Sequence, residues 1–307
     1  MARRRREALL RPDALRGVQI AVSVSESEDL ARLGLVETHF RLALGELARS
    51  VLVSGGKLAY GGRIHPEGYT AMLMKELQRY NRRDRPLSIC LAWQEHRELS
   101  KGELQKQIDE LGLLGEIICL DAEGRPVPWD DRANAPVPET DAKVRRQALS
   151  GLRRYMAQHA NGRVIIGGKR SNFEGEMPGV LEEAIASVEM RQPLYVVGGF
   201  GGISADVAVR IGFLNADWLP QMYRAVDIDN RALGALDHLL DLRREGWPDN
   251  GLSDGENAQL ATTYRPSEIA ALISLGLGRR FGDRSRPTST QPAQGKRSPV
   301  KRPRKSN

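Results

Sequence analysis

Three kinds of residue in this sequence could do chemistry. Adjacent carboxylates, Glu182 and Glu183, stand in PGVLEEA behind Pro178 and Gly179, and Glu26 lies in SVSESED. Basic side chains follow glycines in YGGRIH (Arg63) and IGGKRS (Lys169, Arg170). Four glycines surround Phe200 in GGFGG, residues 198–202. A carboxylate beside a ribose can accept its hydroxyls, or stabilise the positive charge that develops on the sugar when an N-glycosidic bond breaks. Arginine and lysine after Gly-rich turns suit phosphate or pyrophosphate, and glycine lets the backbone approach such groups without a Cβ in the way. Ordinary explanations stay open beside these. Acidic residues in the first turns after Pro-Gly are favoured by the helix dipole, and surface arginines and lysines are commonly just solvated. His39, next to Phe40 in an amphipathic stretch, reads as packed or surface-exposed, whereas His65, close to Arg63, is open to a ligand contact. His, Cys and Asp show no metal-ligand spacing, so no metal is expected.

Strands and helices alternate around these residues. GVQIAVSV (17–24), VLVSGG (51–56), LSICLAW (87–93), EIICLD (116–121), RVIIGG (163–168) and LYVVGG (194–199) read as strands. Helices are predicted over 34–50, 67–83, about 100–111, 141–160, 178–191 and 203–213, and the chain from 215 to 278 reads as helical. The strands are near-continuous apolar runs, which suits a parallel sheet covered on both faces. Residues 122–141, with four prolines and no periodicity, read as an excursion over the surface. The expectation is one Rossmann-like, doubly wound α/β domain over 16–280, with a mostly parallel sheet, a helical C-terminal part, a basic extension at 1–15 and a disordered basic tail at 281–307.

Three predicted strands end in Gly-Gly: VLVSGG, VIIGG and YVVGG. The carboxyl edge of an open α/β sheet is where ligands bind, because helix N-termini point N–H groups into the crevice there. Neither GxxxxGK[ST] nor GxGxxG with its acidic partner occurs, so the expected ligand is nucleotide-like without being held in the standard ATP or NAD manner.

The net charge of +7 belongs to the ends. Arg279–Asn307 carries ten Lys/Arg against one Asp, and Met1–Arg16 carries six Arg against two acids, which leaves the middle at about −6. A duplex-binding core is not supported; weak nucleic-acid contact by the tail stays open beside a merely solubilising role. No apolar run is long enough to cross a bilayer, and no signal peptide is read at the start, so a cytoplasmic, membrane-free protein is expected. Cys90 and Cys119, each inside an apolar run, read as buried free thiols.

The segments VSVSESEDLARLGL, LVSGGKLAYGGRIHPEGYTAMLMKEL, LAWQEHRELS, IIGGKRSNFEGEMPGVLEEA and VVGGFGGISADVA resemble the SLOG superfamily over roughly residues 15–280. That superfamily groups cytokinin-activating nucleotide hydrolases, DNA-processing proteins, ADP-ribose-binding channel domains and bacterial conflict-system sensors; the resemblance is nearest to bacterial SLOG proteins associated with TIR domains. It implies that Ser23, Ser25 and Glu26 meet the ligand after the first strand, and Gly55, Gly56, Tyr60, Gly61, Gly62 and Arg63 after the second. It adds Gly167, Gly168, Lys169 and Arg170, and finally Gly198, Gly199, Gly201 and Gly202; Phe200 between those glycines, and Pro178, Gly179, Glu182 and Glu183 at the helix start, are candidate ligand contacts beside them. In the hydrolases the last loop resembles PGGxGTxxE, whose Thr lies at a phosphate and whose Glu assists cleavage. Here Val197 replaces the Pro, Gly202 the Thr and Ala205 the Glu. Asp206, one position late, should be rotated away by about 100°.

Two readings follow. One is a sensor of an ADP-ribose or cyclic ADP-ribose type of ligand in a bacterial conflict (antiviral defence) system, signalling to a TIR or other effector protein or through its own homo-oligomer. The other is an N-glycoside hydrolase or transferase using Glu182 or Glu183. No cofactor is expected apart from that nucleotide-type ligand.

Overall fold

The computed structural model describes residues 11–282 except Pro66, Asn81, Leu219 and Pro220; the Arg-rich start and nearly all of the basic tail lie outside the described residues. Its centre is a six-stranded, all-parallel sheet in the order β4-β3-β2-β1-β5-β6. The strands are β1 (Gln19–Ser25), β2 (Lys57–Gly61), β3 (Leu87–Leu91), β4 (Gly115–Cys119), β5 (Gly162–Gly167) and β6 (Leu194–Val197). Successive strands step outward from β1 to β4, and then the chain returns to pair β5 with the free side of β1. The topological switch point therefore lies between the carboxyl ends of β1 and β5, where open α/β sheets leave a crevice.

Strand alternation decides what covers each face. Ile20, Val22, Leu58, Ile89, Val164, Ile166 and Tyr195 point into one core. Helices α1 (Glu37–Val53), α2 (Tyr69–Gln78) and α10 (Pro266–Phe281) close that side. On the other face the small residues Ala21, Ala59 and Cys90 lie under Leu152 and Met156 of α5 (Ala142–His159). Ile165 and Val196 meet α6 (Gly179–Glu189), α7 (Gly202–Arg210) and α8 (Asn230–Glu245). Helices α3 (Trp93–Arg97) and α4 (Lys101–Leu111) join β3 to β4, and α9 (Asp254–Thr262) precedes α10. Both cysteines are buried and free. No described helix is long and apolar enough to cross a membrane.

One predicted strand is corrected. Val51 and Leu52 continue the buried stripe Phe40, Ala43, Leu44, Leu47 and Ala48 of α1, whose steps of three and one are helical. An apolar Val-Leu-Val run at the end of a helix mimics a strand over three residues. The strand lies further on, at Lys57–Gly61, so Gly55 and Gly56 sit at the amino edge of the sheet, opposite the crevice. Gly55 (φ +81°) turns the chain there against Pro12 and Asp13, and a Cβ on Gly56 would stand 2.8 Å from Val51. Neither glycine can meet a ligand at the carboxyl edge.

The excursion at 122–141 is strapped to α3. Arg132 Nη2 donates to His96 O at 2.9 Å, Arg97 donates to Val137 O at 2.6 Å, and Trp93 Nε1 donates to Glu139 at 3.1 Å, while the His96 ring is bonded to Leu120 O just before the excursion at 2.9 Å. Burial lowers the His96 pKa to about 4, in keeping with a neutral ring that ties two segments together.

Candidate functional site at the carboxyl edge

The floor of the crevice is built from β1, β5 and α6. Arg163, fully buried on β5, donates from Nη1 to Ser23 Oγ (2.7 Å) and Glu183 Oε2 (2.9 Å), and from Nε to Ser187 Oγ (2.6 Å). Its Nη2 finds no hydrogen-bond partner among the described residues. Burial pulls the Arg163 pKa down while Glu183 opposes that fall. Glu182, one residue earlier, is ion-paired with the buried Arg153 of α5. Pro178 caps α6, and Gly179 leaves room for the same guanidinium: a Cβ there would lie 2.6 Å from Arg153 Nη2. Both candidate carboxylates are thus committed to arginines. Ser25 is half-buried and Glu26 is exposed above them.

The loop after β5 divides its two basic residues. Gly167 (φ +66°) and Gly168 (φ +92°) turn the backbone beneath Ile203, and Lys169 emerges exposed. Arg170 is the correction: rather than meeting a phosphate it is fully buried, with Nη1 2.5 Å from Asp29 Oδ2 and Nε 2.5 Å from Asp206 Oδ2. Asp206 is indeed turned from the crevice, and this pair is where it goes.

The glycines of the loop after β6 are also explained from within. A Cβ on Gly198 would overlap Ala261 O, one on Gly199 would overlap Thr263 O, and one on Gly202 would overlap Gly168 O. A Cβ on Gly201 would stand 2.6 Å from the Asp29 side chain. Phe200 is fully buried, edge-on to Phe40 at 5.2 Å between centroids. The close approach that GGFGG permits is made by the protein's own backbone.

The rim comes from the loops after β2 and β3. Gly61 and Gly62 are half-buried, Gly62 lies over the ring of the buried Tyr60, and Arg63 projects into solvent. Its Nε donates to both oxygens of Glu95, at 2.9 and 3.1 Å. Glu95, in the first turn of α3, is more deeply placed than its partner; burial raises its pKa although Arg63 pulls the other way, with Glu98 and Glu174 adding repulsion. Glu174 belongs to the loop after β5 and pairs with Arg145 of α5, so the loops after β2, β3 and β5 meet across the end of β1. Tyr69, next to Phe40 and Arg41, has a buried hydroxyl without a hydrogen-bond partner among the described residues. Burial, then Glu26 and Glu37, push its pKa up. Tyr60 is pushed up in the same way, with Tyr69 and Glu183 contributing. His39 and His65 accept local backbone N–H groups, from Val36 (3.1 Å) and Glu67 (3.3 Å).

The structure therefore brings together Ser23, Ser25, Glu26, Tyr60, Gly61, Gly62, Arg63, Gly167, Gly168, Lys169, Pro178, Gly179, Glu182 and Glu183 at one edge. Sequence reasoning missed Glu95, Arg163, Tyr69 and Asp29. A lone arginine opening a buried strand, RVIIGG, was the one visible signal among them. Among the described residues no cluster of His, Cys, Asp and Glu could hold a metal. Two cavities lie elsewhere: about 830 Å³ between α1 and α10, lined by Glu46, Ser50, Tyr80 and Ser274, and about 140 Å³ between α3 and the excursion.

A parallel doubly wound sheet with polar and charged side chains gathered at its switch point defines a Rossmann-like α/β protein. Residues 14–260 match the family described as SLOG cluster2, and the chain belongs to that family. Comparison with curated proteins finds no match.

Proposed function

We propose that the protein is a sensor whose crevice binds a nucleotide-derived ligand of the ADP-ribose or cyclic ADP-ribose type. Ser25, Glu26, Gly61, Gly62 and Lys169 would line it, with Arg63 at the rim and Tyr69 offering its unpaired hydroxyl. Binding would be passed to a TIR or other effector protein, or to the oligomeric state of the chain. One observation carries the choice of sensor over enzyme: Glu182 and Glu183, the candidate catalytic carboxylates at this edge, are each tied to an arginine, and Asp206 is turned into the buried pair with Arg170. Membership of the SLOG cluster2 family supports a nucleotide-related role.

A second reading, N-glycoside cleavage, is favoured by Glu95 alone. A half-buried carboxyl with raised proton affinity at the crevice rim is suited to general acid catalysis. Melting curves with AMP, NAD, ADP-ribose and cyclic ADP-ribose isomers, followed by chromatography of each ligand, separate the two. A ligand at 100 times its dissociation constant should add about 2.7 kcal/mol and be recovered intact. Arg63→Ala should weaken that ligand by about 10- to 100-fold, the worth of a charge-assisted hydrogen bond, while the free protein melts almost unchanged. Recovery of free base plus ribose phosphate, abolished by Glu95→Gln or Glu183→Ala, would make the protein an enzyme.

A further inference from the structure

We infer that the outward face of α1 is a contact surface for a second copy of this chain, packed antiparallel about a two-fold axis that passes between residues 47 and 48. Leu42, Glu46, Arg49 and Val53 advance in steps of four, three and four. They form one stripe on the helix surface, away from the residues that α1 buries in the core. Leu42 and Val53 are 55% and 54% exposed. Scattered apolar residues on a surface need no explanation, but the order of this stripe does. In a two-fold contact residue i meets j while j meets i. Rotating a copy about the point between 47 and 48 sets Leu42 against Val53 of the second copy, Glu46 against its Arg49 and Gly45 against its Ser50, each exchange occurring twice. Gly45 supports the reading independently. Its φ is not positive, and a Cβ there would come no nearer than 3.9 Å to Glu76, so the protomer itself does not call for glycine in mid-helix, where it is destabilising. A bare backbone beside the axis lets two helices approach closely.

Charge fixes the direction. A parallel pair would set Glu46 on Glu46 and Arg49 on Arg49, whereas the antiparallel pair alternates the four charges around the axis. Within one protomer Arg49 Nη2 lies 3.1 Å from Glu46 Oε2, and the two side chains keep 57% and 37% of their surface exposed, enough to be shared with a neighbour. The groove beside α1 points to the same occupant. Val53 forms one wall of the cavity of about 830 Å³ between α1 and α10, with Ala271 and Leu275 of α10 on the other. Leu42 of the second copy, set against Val53, enters that cavity, and each protomer receives one leucine from the other. The chain's own basic ends suit the groove poorly, because its acids are already matched: Glu46 by Arg49 and Glu256 by Arg279. This surface does not depend on the crevice at the carboxyl edge, since α1 runs down to the amino edge and ends there at Val53.

Sedimentation equilibrium of the full chain over a concentration series tests this. The wild type should reach a dimer. Arg49→Glu, which sets Glu46 against an acid of the second copy, should raise the dimer dissociation constant about tenfold or more, and Glu46→Arg should do the same. Glu46→Arg together with Arg49→Glu exchanges the signs without changing the pairing, so the double variant should return to the wild-type constant. Leu42→Asp, at an exposed position, should stay folded by circular dichroism and sediment as a monomer. Leu42→Cys mixed with Val53→Cys should be joined by a short bismaleimide, the native Cys90 and Cys119 being buried. Leu42→Cys alone should not, because its two copies would lie about 16 Å apart along the helices. A wild type that is monomeric throughout the series would leave the face to another occupant and overturn the inference. So would a dimer indifferent to Leu42→Asp, or a double charge exchange as weak as the single ones. None of these readouts involves a nucleotide, so this inference and the crevice reading fail separately.

Discussion

Two glycine loops leave the same edge of one sheet and meet opposite fates. After β2, Gly61-Gly62-Arg63 stays at the surface, with an arginine in solvent and side chains beneath it, Met156 and Leu152 under Gly61 and the Tyr60 ring under Gly62. After β6, GGFGG is buried throughout, pressed on the backbone of Ala261, Thr263 and Gly168 and closed over by Asp29. The sequences of the two loops announce the same thing, that something comes close. What comes close is decided by the rest of the fold: the carboxylate that reaches the loop after β2, Glu95, meets it at the exposed Arg63 side chain, whereas the loop after β6 has the end of α9, Thr263 and Asp29 against its glycines. A doubled glycine at a strand end therefore testifies to an approach and says nothing of whether the visitor is a ligand or the protein itself.

The sharpest way to break this contrast is at the neighbours Lys169 and Arg170. Arg170→Ala would leave Asp29 buried without its counter-charge and Asp206 with only the more distant Arg224, and should cost about 3–5 kcal/mol. Lys169→Ala, one residue away and exposed, should change stability by less than about 0.5 kcal/mol. Chemical denaturation of both variants checks this, and equal effects would dissolve the distinction between a closed loop and an open one.

Next come the glycines themselves. Gly199→Ala forces a methyl onto the Thr263 carbonyl, a backbone obstacle, and should cost about 3 kcal/mol or more. Gly62→Ala meets the ring of Tyr60, 2.7–2.8 Å away before relaxation, and a side chain can move where backbone cannot. It should cost the free protein less than Gly199→Ala and cost ligand affinity more.

The smallest effect is electrostatic. Burial raises the proton affinity of Glu95 in the folded state above that of the unfolded chain, so its contribution favours folding below the ordinary carboxylate range and is lost as pH rises past it. Glu95→Gln should therefore melt at or slightly above the wild type at pH 7, by less than about 1 kcal/mol, with the difference shrinking toward pH 4. A lower melting temperature at pH 7 would show that the Arg63 pair outweighs burial.

These contrasts also mark how far the sequence could be read. Apolar runs with glycine punctuation sufficed for β1, β3, β4, β5 and β6, because strands covered on both faces have little choice of composition. They failed at residues 51–53, where a helical stripe and a strand look alike, and at α3, five residues too short to show a period. For the site, local motifs located Glu182, Glu183, Arg63 and Lys169. They could not show that Arg170 is buried or that Asp29 reaches α7. Asp29 lies 141 positions from Arg170 and 173 from Gly202, and such pairings exist only once the sheet has brought β1 beside β5.

Hydrogen exchange with and without ADP-ribose is the measurement that tests the account most directly. Residues 25–28, 61–65, 93–98 and 168–177 should gain protection on binding, whereas residues 198–204 should be protected beforehand and stay unchanged. New protection at 198–204, with none around Arg63 and Glu95, would contradict it and return the ligand to the turn that Asp29 closes over.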